Sequence, residues 1–351
     1  MAHSVTGTQA PQADRAIQEK GGLLRTPLQL SGALEKYEYF EKTPAIGREY
    51  PAVDLVELLE AENSDDLIRD LAIIIRIALP TLGVLSGKPS TSGLHIHPVL
   101  NNEREGGGDD PHISSINSDV FGSIFDLEDE KTKKQVANVW HSDVAFEPVP
   151  ADYTSLKLVK LPRTGGDTLW ASGYDIYDKI SKQYQRFLET LTGTFAQPSF
   201  YDAARRGNFK LYDKERGSPE NVGLDFKAVH PVVRTNPVTR WKIIYPLGNH
   251  IQSINGLTHQ ESTHLIDWFY RIILENHDIQ VRHHWENKND IAIWDNRSTF
   301  HCATYDTAGY GTREGHRALG VGERPYYDPN SSSRKEFLAA EATAKAKAVR
   351  G

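Results

Sequence analysis

The 351-residue chain carries 40 Lys and Arg against 47 Asp and Glu, a net charge of −7, and has no basic stripe of the kind that follows a nucleic-acid backbone. Its one cysteine, Cys302, excludes an intrachain disulfide and points to a reducing compartment. No apolar run approaches the roughly 18 residues a membrane span needs, residues 1–20 hold no apolar signal core, and the last three residues match no targeting tripeptide. The expectation is a cytoplasmic protein with neither a nucleic-acid nor a membrane partner.

In chain order, residues 1–26 are rich in Gln, Ala, Ser and Thr without periodicity. They read as a flexible tail ahead of a single folded domain over 27–328. Residues 51–60 suit a short strand and then a helix start. Ser64-Asp65-Asp66-Leu67 reads as an N-cap with acids in the first turn. The helix behind it should run through Ile77 and stop before Pro80, with Leu67, Ile68, Leu71, Ile74, Ile75 and Ala78 on one face. Gly83-Val84-Leu85 suits a strand. Leu94-His95-Ile96-His97 then sets two imidazoles at alternate positions, and His95 reads as structural. Residues 101–118, with the run Glu105-Gly106-Gly107-Gly108-Asp109-Asp110, read as a flexible loop.

Next comes Val139-Trp140-His141-Ser142-Asp143. A strand over 153–161 leads to Gly165-Gly166, whose ordinary meaning is a tight turn. Apolar residues at helical spacing predict one helix over 174–191. Residues 197–227 are polar and aperiodic, and a long irregular segment in a compact domain suggests an active-site lid. Its Arg205, Arg206 and Lys210 are candidate anion contacts. Residues 230–245 read as two strands around a turn at 236–239, and Thr258-His259-Gln260-Glu261 is a capping box opening a helix to about 275. Strands follow over 280–285 and 290–294, and 329–351 form a tail able to turn helical. The fold class expected is α+β, mainly β: a double-stranded β-helix (jelly roll) with flanking helices.

Two stretches carry the chemistry. On an extended strand, residues i and i+2 share a face, so His141 and Asp143 can grip one ion together. Trp294-Asp295-Asn296-Arg297-Ser298-Thr299-Phe300-His301 supplies a second imidazole, His301. Two His and one carboxylate on one face of a metal leave coordination positions open, as in non-haem Fe(II) oxygenases. A lone His-x-Asp is a frequent chance pattern whose ordinary meaning is a surface loop. What distinguishes this one is the set of motifs at fixed distances from it.

Trp140-His141-Ser142-Asp143, Gly165-Gly166-Asp167-Thr168, Trp294-Asp295-Asn296-Arg297, His301 and Arg313-Glu314-Gly315-His316-Arg317, in that order, resemble the taurine dioxygenase (TauD/TfdA-like) family of Fe(II)/2-oxoglutarate-dependent dioxygenases. The resemblance runs from about residue 94 to 327. It implies His141, Asp143 and His301 as metal ligands, with motif order selecting His301 over His316. It implies Thr168 and Arg313 as binders of 2-oxoglutarate, a carboxylate being best gripped by a bidentate guanidinium. Arg317 matches the arginine that holds the acidic group of the substrate, a structural ion pair being its alternative. His97 matches a pocket histidine, again with a structural alternative. Cys302 reads as a small core residue, and Asp295 and Asn296 as shapers of the turn before the ligand.

The departures concern the substrate. The family's taurine pocket has tyrosine where Leu100 stands, asparagine where Ala137 stands and phenylalanine where Asn249 stands. Because a site built around a polar group rejects analogues lacking it, taurine itself is not the expected substrate. The resemblance implies Fe(II), 2-oxoglutarate and O2, release of succinate and CO2, and hydroxylation of a small anionic molecule such as a sulfonate, sulfate ester, carboxylate or amino acid, with Asn249 among the substrate contacts. The rival readings are the same chemistry on a purine or secondary-metabolite intermediate, and a catalytically idle jelly-roll binding protein. Homo-dimers or tetramers are usual in the family.

Overall fold

Stretches of outward and inward side chains in alternation, rich in β-branched and aromatic residues, form the strands that carry the site. The computed structural model describes residues 30–74, 93–100, 110–119 and 140–350. In chain order its elements are β1 (Phe40–Glu41), β2 (Arg48–Glu49), α1 (Leu55–Glu60), α2 (Ser64–Ile74), β3 (Ile113–Asn117), β4 (Ala151–Lys160), β5 (Thr168–Ser172), α3 (Gly173–Asp178), α4 (Lys182–Leu188) and β6 (Thr192–Ala196). They continue as α5 (Ser199–Gly207), β7 (Lys227–Pro231), β8 (Val233–Thr235), β9 (Lys242–Ile244), β10 (Ile251–Ile254), α6 (His259–Glu275), β11 (Gln280–His283), β12 (Ile291–Asp295), β13 (Thr299–Ala303), β14 (Glu314–Val321) and α7 (Arg334–Arg350).

Two antiparallel sheets form the jelly roll. One has the order β12-β4-β14-β3 and the other β11-β5-β13. Leu156, Leu158 and Trp294 from the first sheet pack with Trp170, Val281 and the neighbouring Trp285 in one buried cluster, so the sheets face each other across it. Burying a side chain of this size contributes about 1.5–3 kcal/mol. A larger core lies between the second sheet and the helices: Ala171, Phe300 and Cys302 meet Tyr174, Ile176 and Tyr177 of α3 and Leu265, Phe269, Ile272 and Ile273 of α6. Cys302 is thus a core residue. Helix α6 begins at a complete capping box, Thr258 accepting from the Glu261 N–H and Glu261 accepting from the Thr258 N–H.

Several expectations are corrected. Residues 51–54 form no strand ahead of α1; Asp54 caps that helix directly, its carboxylate accepting from the Val56 N–H at 2.8 Å. Residues 113–117, expected in a loop, form β3, because their hydrogen bonds are supplied by β14 from far along the chain. The single helix expected over 174–191 is two, α3 and α4. The apolar spacing runs on through Ile180, but Ser181 adopts extended backbone and starts a second helix. Residues 199–207, expected to be aperiodic, form α5, ended by Asn208 in the left-handed conformation. Strands β4, β11 and β12, the hairpin β8–β9 and helix α6 lie where expected, and the C-terminal tail is largely helical. The tail over 1–26, residues 75–77 of the helix predicted behind Ser64, the strand at 83–85 and the loop over 101–109 lie outside the described residues. Among the described residues no helix is long and apolar enough to cross a membrane.

Candidate active site

His141 sits in a single antiparallel bridge to His301, each N–H donating to the other's carbonyl at 2.9 Å. The sequence predicts a strand through His141 and Asp143. The strand is reduced to this one bridge, because the chain turns at Val144, whose φ is +46°. Gly248 lies against the same bridge: with φ +113°, an added Cβ there would come within 2.9 Å of the His141 Cα. His301 is placed by β13, which pairs it with Trp170 of β5.

The bridge brings the three side chains together. Asp143 Oδ1 lies 3.8 Å from His141 Nε2, and Asp143 Oδ2 lies 3.8 Å from His301 Nε2. One ligand atom from each residue falls within 4.8 Å of the others, close enough to share one ion. The protonation states suit a divalent cation. Burial pushes the Asp143 carboxyl up, but Arg317, His301, His141 and the Thr154 hydroxyl outweigh it and hold the group well below the usual carboxylate range. Burial and the neighbouring His141 push His301 down to about 3, so its imidazole is neutral at pH 7. An ionised carboxylate and a neutral imidazole are the ligand forms a metal requires, so the residues present fit the ion that the motif implies.

A second feature is a buried cation. Arg313 is 6% exposed, donates Nε to the Gly166 carbonyl at 2.8 Å and Nη2 to Thr168 Oγ1 at 3.1 Å, and among the described residues has no carboxylate within ion-pair distance. Thr168 Oγ1 also accepts from Trp285 Nε1 at 3.0 Å. With two N–H groups donating to its oxygen, the single hydroxyl proton is left to donate to another acceptor. Gly166 permits this approach: its φ is +71°, and a Cβ would stand 2.9 Å from Arg313 Cδ. Asp167, also 6% exposed, turns away and is held by Arg282 and His284.

Arg317 on β14 donates Nη1 to Asp143 Oδ1 at 2.7 Å, while among the described residues its buried Nε has no partner. His97 is buried, and its Nδ1 accepts from the Val99 and Leu100 N–H groups at 3.1 and 2.9 Å, which places the ring proton on Nε2. Its ring packs edge-on to Phe200 at 5.3 Å. His95 is wholly buried, 3.1 Å from Glu147 Oε1, and Glu147 in turn takes two donations from Arg216. It is the structural histidine expected.

Asn249 is exposed, and no hydrogen bond joins it to the triad among the described residues; the neighbouring His250 is the one buried against His141, ring to ring at 6.4 Å. Arg205, Arg206 and Lys210 are exposed as well, Arg205 pairing with Asp202. Leu100 is buried among Val99, Phe146 and Phe200, and Ala137 lies outside the described residues. Sequence reasoning gave no role to Thr154, Trp285 or His250, and quoted Asn296 only as part of a turn.

The residues over 93–319 match the model of the taurine catabolism dioxygenase TauD, TfdA family. Over 344 residues the chain is 44% identical to the alpha-ketoglutarate-dependent dioxygenase btcD of Neocamarosporium betae, covering 90% of this chain and 99% of that one. It is 32% identical over 238 residues to an alpha-ketoglutarate-dependent sulfonate dioxygenase of Saccharomyces cerevisiae, covering 67% of this chain and 53% of that one. A taurine dioxygenase structure from Burkholderia xenovorans superposes with a TM-score of 0.60 at 22% identity, over 84% of this chain and 92% of that one, and so shares the fold.

Proposed function

The chain belongs to the taurine catabolism dioxygenase TauD, TfdA family and is an alpha-ketoglutarate (2-oxoglutarate)-dependent dioxygenase, and from that premise we propose that it oxidises a small anionic organic molecule at a site held by His141, Asp143 and His301. The observations that carry this reading are the triad, Arg313 beside Thr168 with no carboxylate in ion-pair distance among the described residues, and Arg317, which donates to Asp143 while its buried Nε has no partner among those residues.

His141, Asp143 and His301 would hold Fe(II), which would supply O2 activation coupled to conversion of 2-oxoglutarate to succinate and CO2. The remaining work falls to the chain. A buried guanidinium without an acid is costly, and Arg313 recovers that cost by a bidentate grip on the distal carboxylate of the cosubstrate. Thr168 donates the proton left over by its two N–H donors to the same carboxylate. Trp285 and Gly166 hold these two groups in place, and the buried surroundings keep bulk water from the reacting atoms.

Arg317 and His97 define the substrate side. Arg317 presents a cation at the edge of the triad, which supports a sulfonate, sulfate ester, carboxylate or amino acid; the relative from Saccharomyces cerevisiae is described as acting on a sulfonate. His97, held by its Nδ1 accepting from backbone N–H groups, is the candidate pocket histidine on that side. Succinate release should be stimulated by members of an anionic panel. Arg317→Ala should lose that stimulation. Stimulation by uncharged heterocycles alone, equal in wild type and Arg317→Ala, would overturn the anionic assignment in favour of the purine or secondary-metabolite reading.

A further inference from the structure

Asn296 occupies the turn between β12 and β13, 1% exposed, and its amide has only one workable orientation. Oδ1 faces two groups that can only donate, the Asp143 backbone N–H and Trp294 Nε1–H, both at 3.1 Å. Nδ2 must therefore be the atom facing Thr154 Oγ1 at 2.7 Å, and it can only donate. With its oxygen taken in this way, the single proton of the fully buried Thr154 hydroxyl goes to Asp143 Oδ2, also at 2.7 Å. The Asn296 carbonyl closes the arrangement by accepting from Ser142 Oγ at 2.8 Å.

We propose that Thr154 and Asn296 are positioning residues for metal binding: a one-way hydrogen-bond relay from the Asn296 amide through the Thr154 hydroxyl fixes the backbone and the carboxylate of Asp143 in ligand geometry. This rests on the metal site proposed above and assigns it a support outside its ligands. Fixing a ligating carboxylate in advance removes the ordering cost from the binding step, and partners of this kind are worth about 10–100-fold in metal affinity. The turn is itself anchored independently. Arg297 donates to both Asp295 carboxylate oxygens at 2.9 and 3.2 Å, Asn236 Nδ2 donates to Asp295 at 3.0 Å, and Glu323 receives Arg297 and Arg234. Asp295 and Arg297 therefore hold the turn, whereas Asn296 and Thr154 reach the ligand.

The test is titration of the metal-stripped full-length protein with Mn(II), free ion being read by electron paramagnetic resonance, alongside thermal unfolding without metal. Thr154→Val should bind Mn(II) about 10–100-fold more weakly than wild type, Thr154→Ser should restore affinity to within about threefold, and Asn296→Ala should weaken binding comparably. Because the two act in series, Thr154→Val with Asn296→Ala should be little worse than the weaker single variant. Thr154→Val keeps the shape of the side chain and decides the matter alone if Asn296→Ala does not fold. Wild-type affinity in Thr154→Val, or a loss that Thr154→Ser does not repair, overturns the relay. Failure of the wild-type chain to bind Mn(II) overturns the metal site itself, and the relay with it.

Discussion

Arg313 shows how a single residue carries functional information that its neighbours do not. Its guanidinium donates from two nitrogens, Nε and Nη2, to a carbonyl and a hydroxyl, both neutral, which leaves its charge without an acid among the described residues and underlies the proposal that 2-oxoglutarate supplies one. A lysine there keeps the charge and loses the fork. Arg313→Lys should raise the half-saturating concentration of 2-oxoglutarate about 10–100-fold, the loss of one or two charge-assisted hydrogen bonds at about 1.5–3 kcal/mol each before Lys recovers part. Measuring succinate formation against cosubstrate concentration checks this; an unchanged value would place the cosubstrate elsewhere. The candidate ligands were legible because His-x-Asp, Gly-Gly-Asp-Thr and the Arg-Glu-Gly-His-Arg run are contiguous in sequence. Thr154 and Trp285 were not, since Thr154 meets Asn296 across 142 residues and Trp285 meets Thr168 across 117, and nothing local marks either pairing.

At the scale of elements, the turn that carries Asp143 is held against β7. His230 on that strand donates Nε2–H to the carbonyls of Ala145 and Glu147, both at 3.1 Å. Burial, with Arg234 adding to it, pushes this imidazole down to about 3 from its ordinary 6.5. The unfolded chain therefore takes up a proton near pH 6.5 that the folded chain refuses until about pH 3. The stability due to neutral His230 is complete above pH 6.5 and falls as pH drops through that window, by at most about 1.4 kcal/mol per pH unit. Thermal unfolding of metal-free protein between pH 7.5 and 4.5 should show a steeper decline in wild type than in His230→Gln; parallel declines would contradict the assignment. Elements whose stabilising groups are local were readable, as in the Thr258–Glu261 capping box. Strand β3 was not, because its polar Ile-Ser-Ser-Ile-Asn sequence becomes a strand only through β14, and the break at Ser181 was hidden by apolar spacing that runs straight across it.

For the molecule as a whole, two facing sheets bring β13, β14 and the segment before β4 together, so that the His141–Asp143–His301 cluster and the Arg317 beside it are drawn from stretches up to 176 positions apart (141 to 317). The class of fold followed from strands dominating the motif-bearing stretches, whereas the surroundings of side chains such as Leu100, buried in an apolar cluster, and Asn249, exposed, are defined only by the folded chain. The central claim, that this site chelates iron and 2-oxoglutarate together, is most directly tested without oxygen and without substrate. Fe(II) and 2-oxoglutarate added anaerobically to the purified protein should produce a weak metal-to-ligand charge-transfer band in the visible spectrum, absent from His301→Ala. A reduced, iron-loaded wild-type protein that shows no such band would contradict the account.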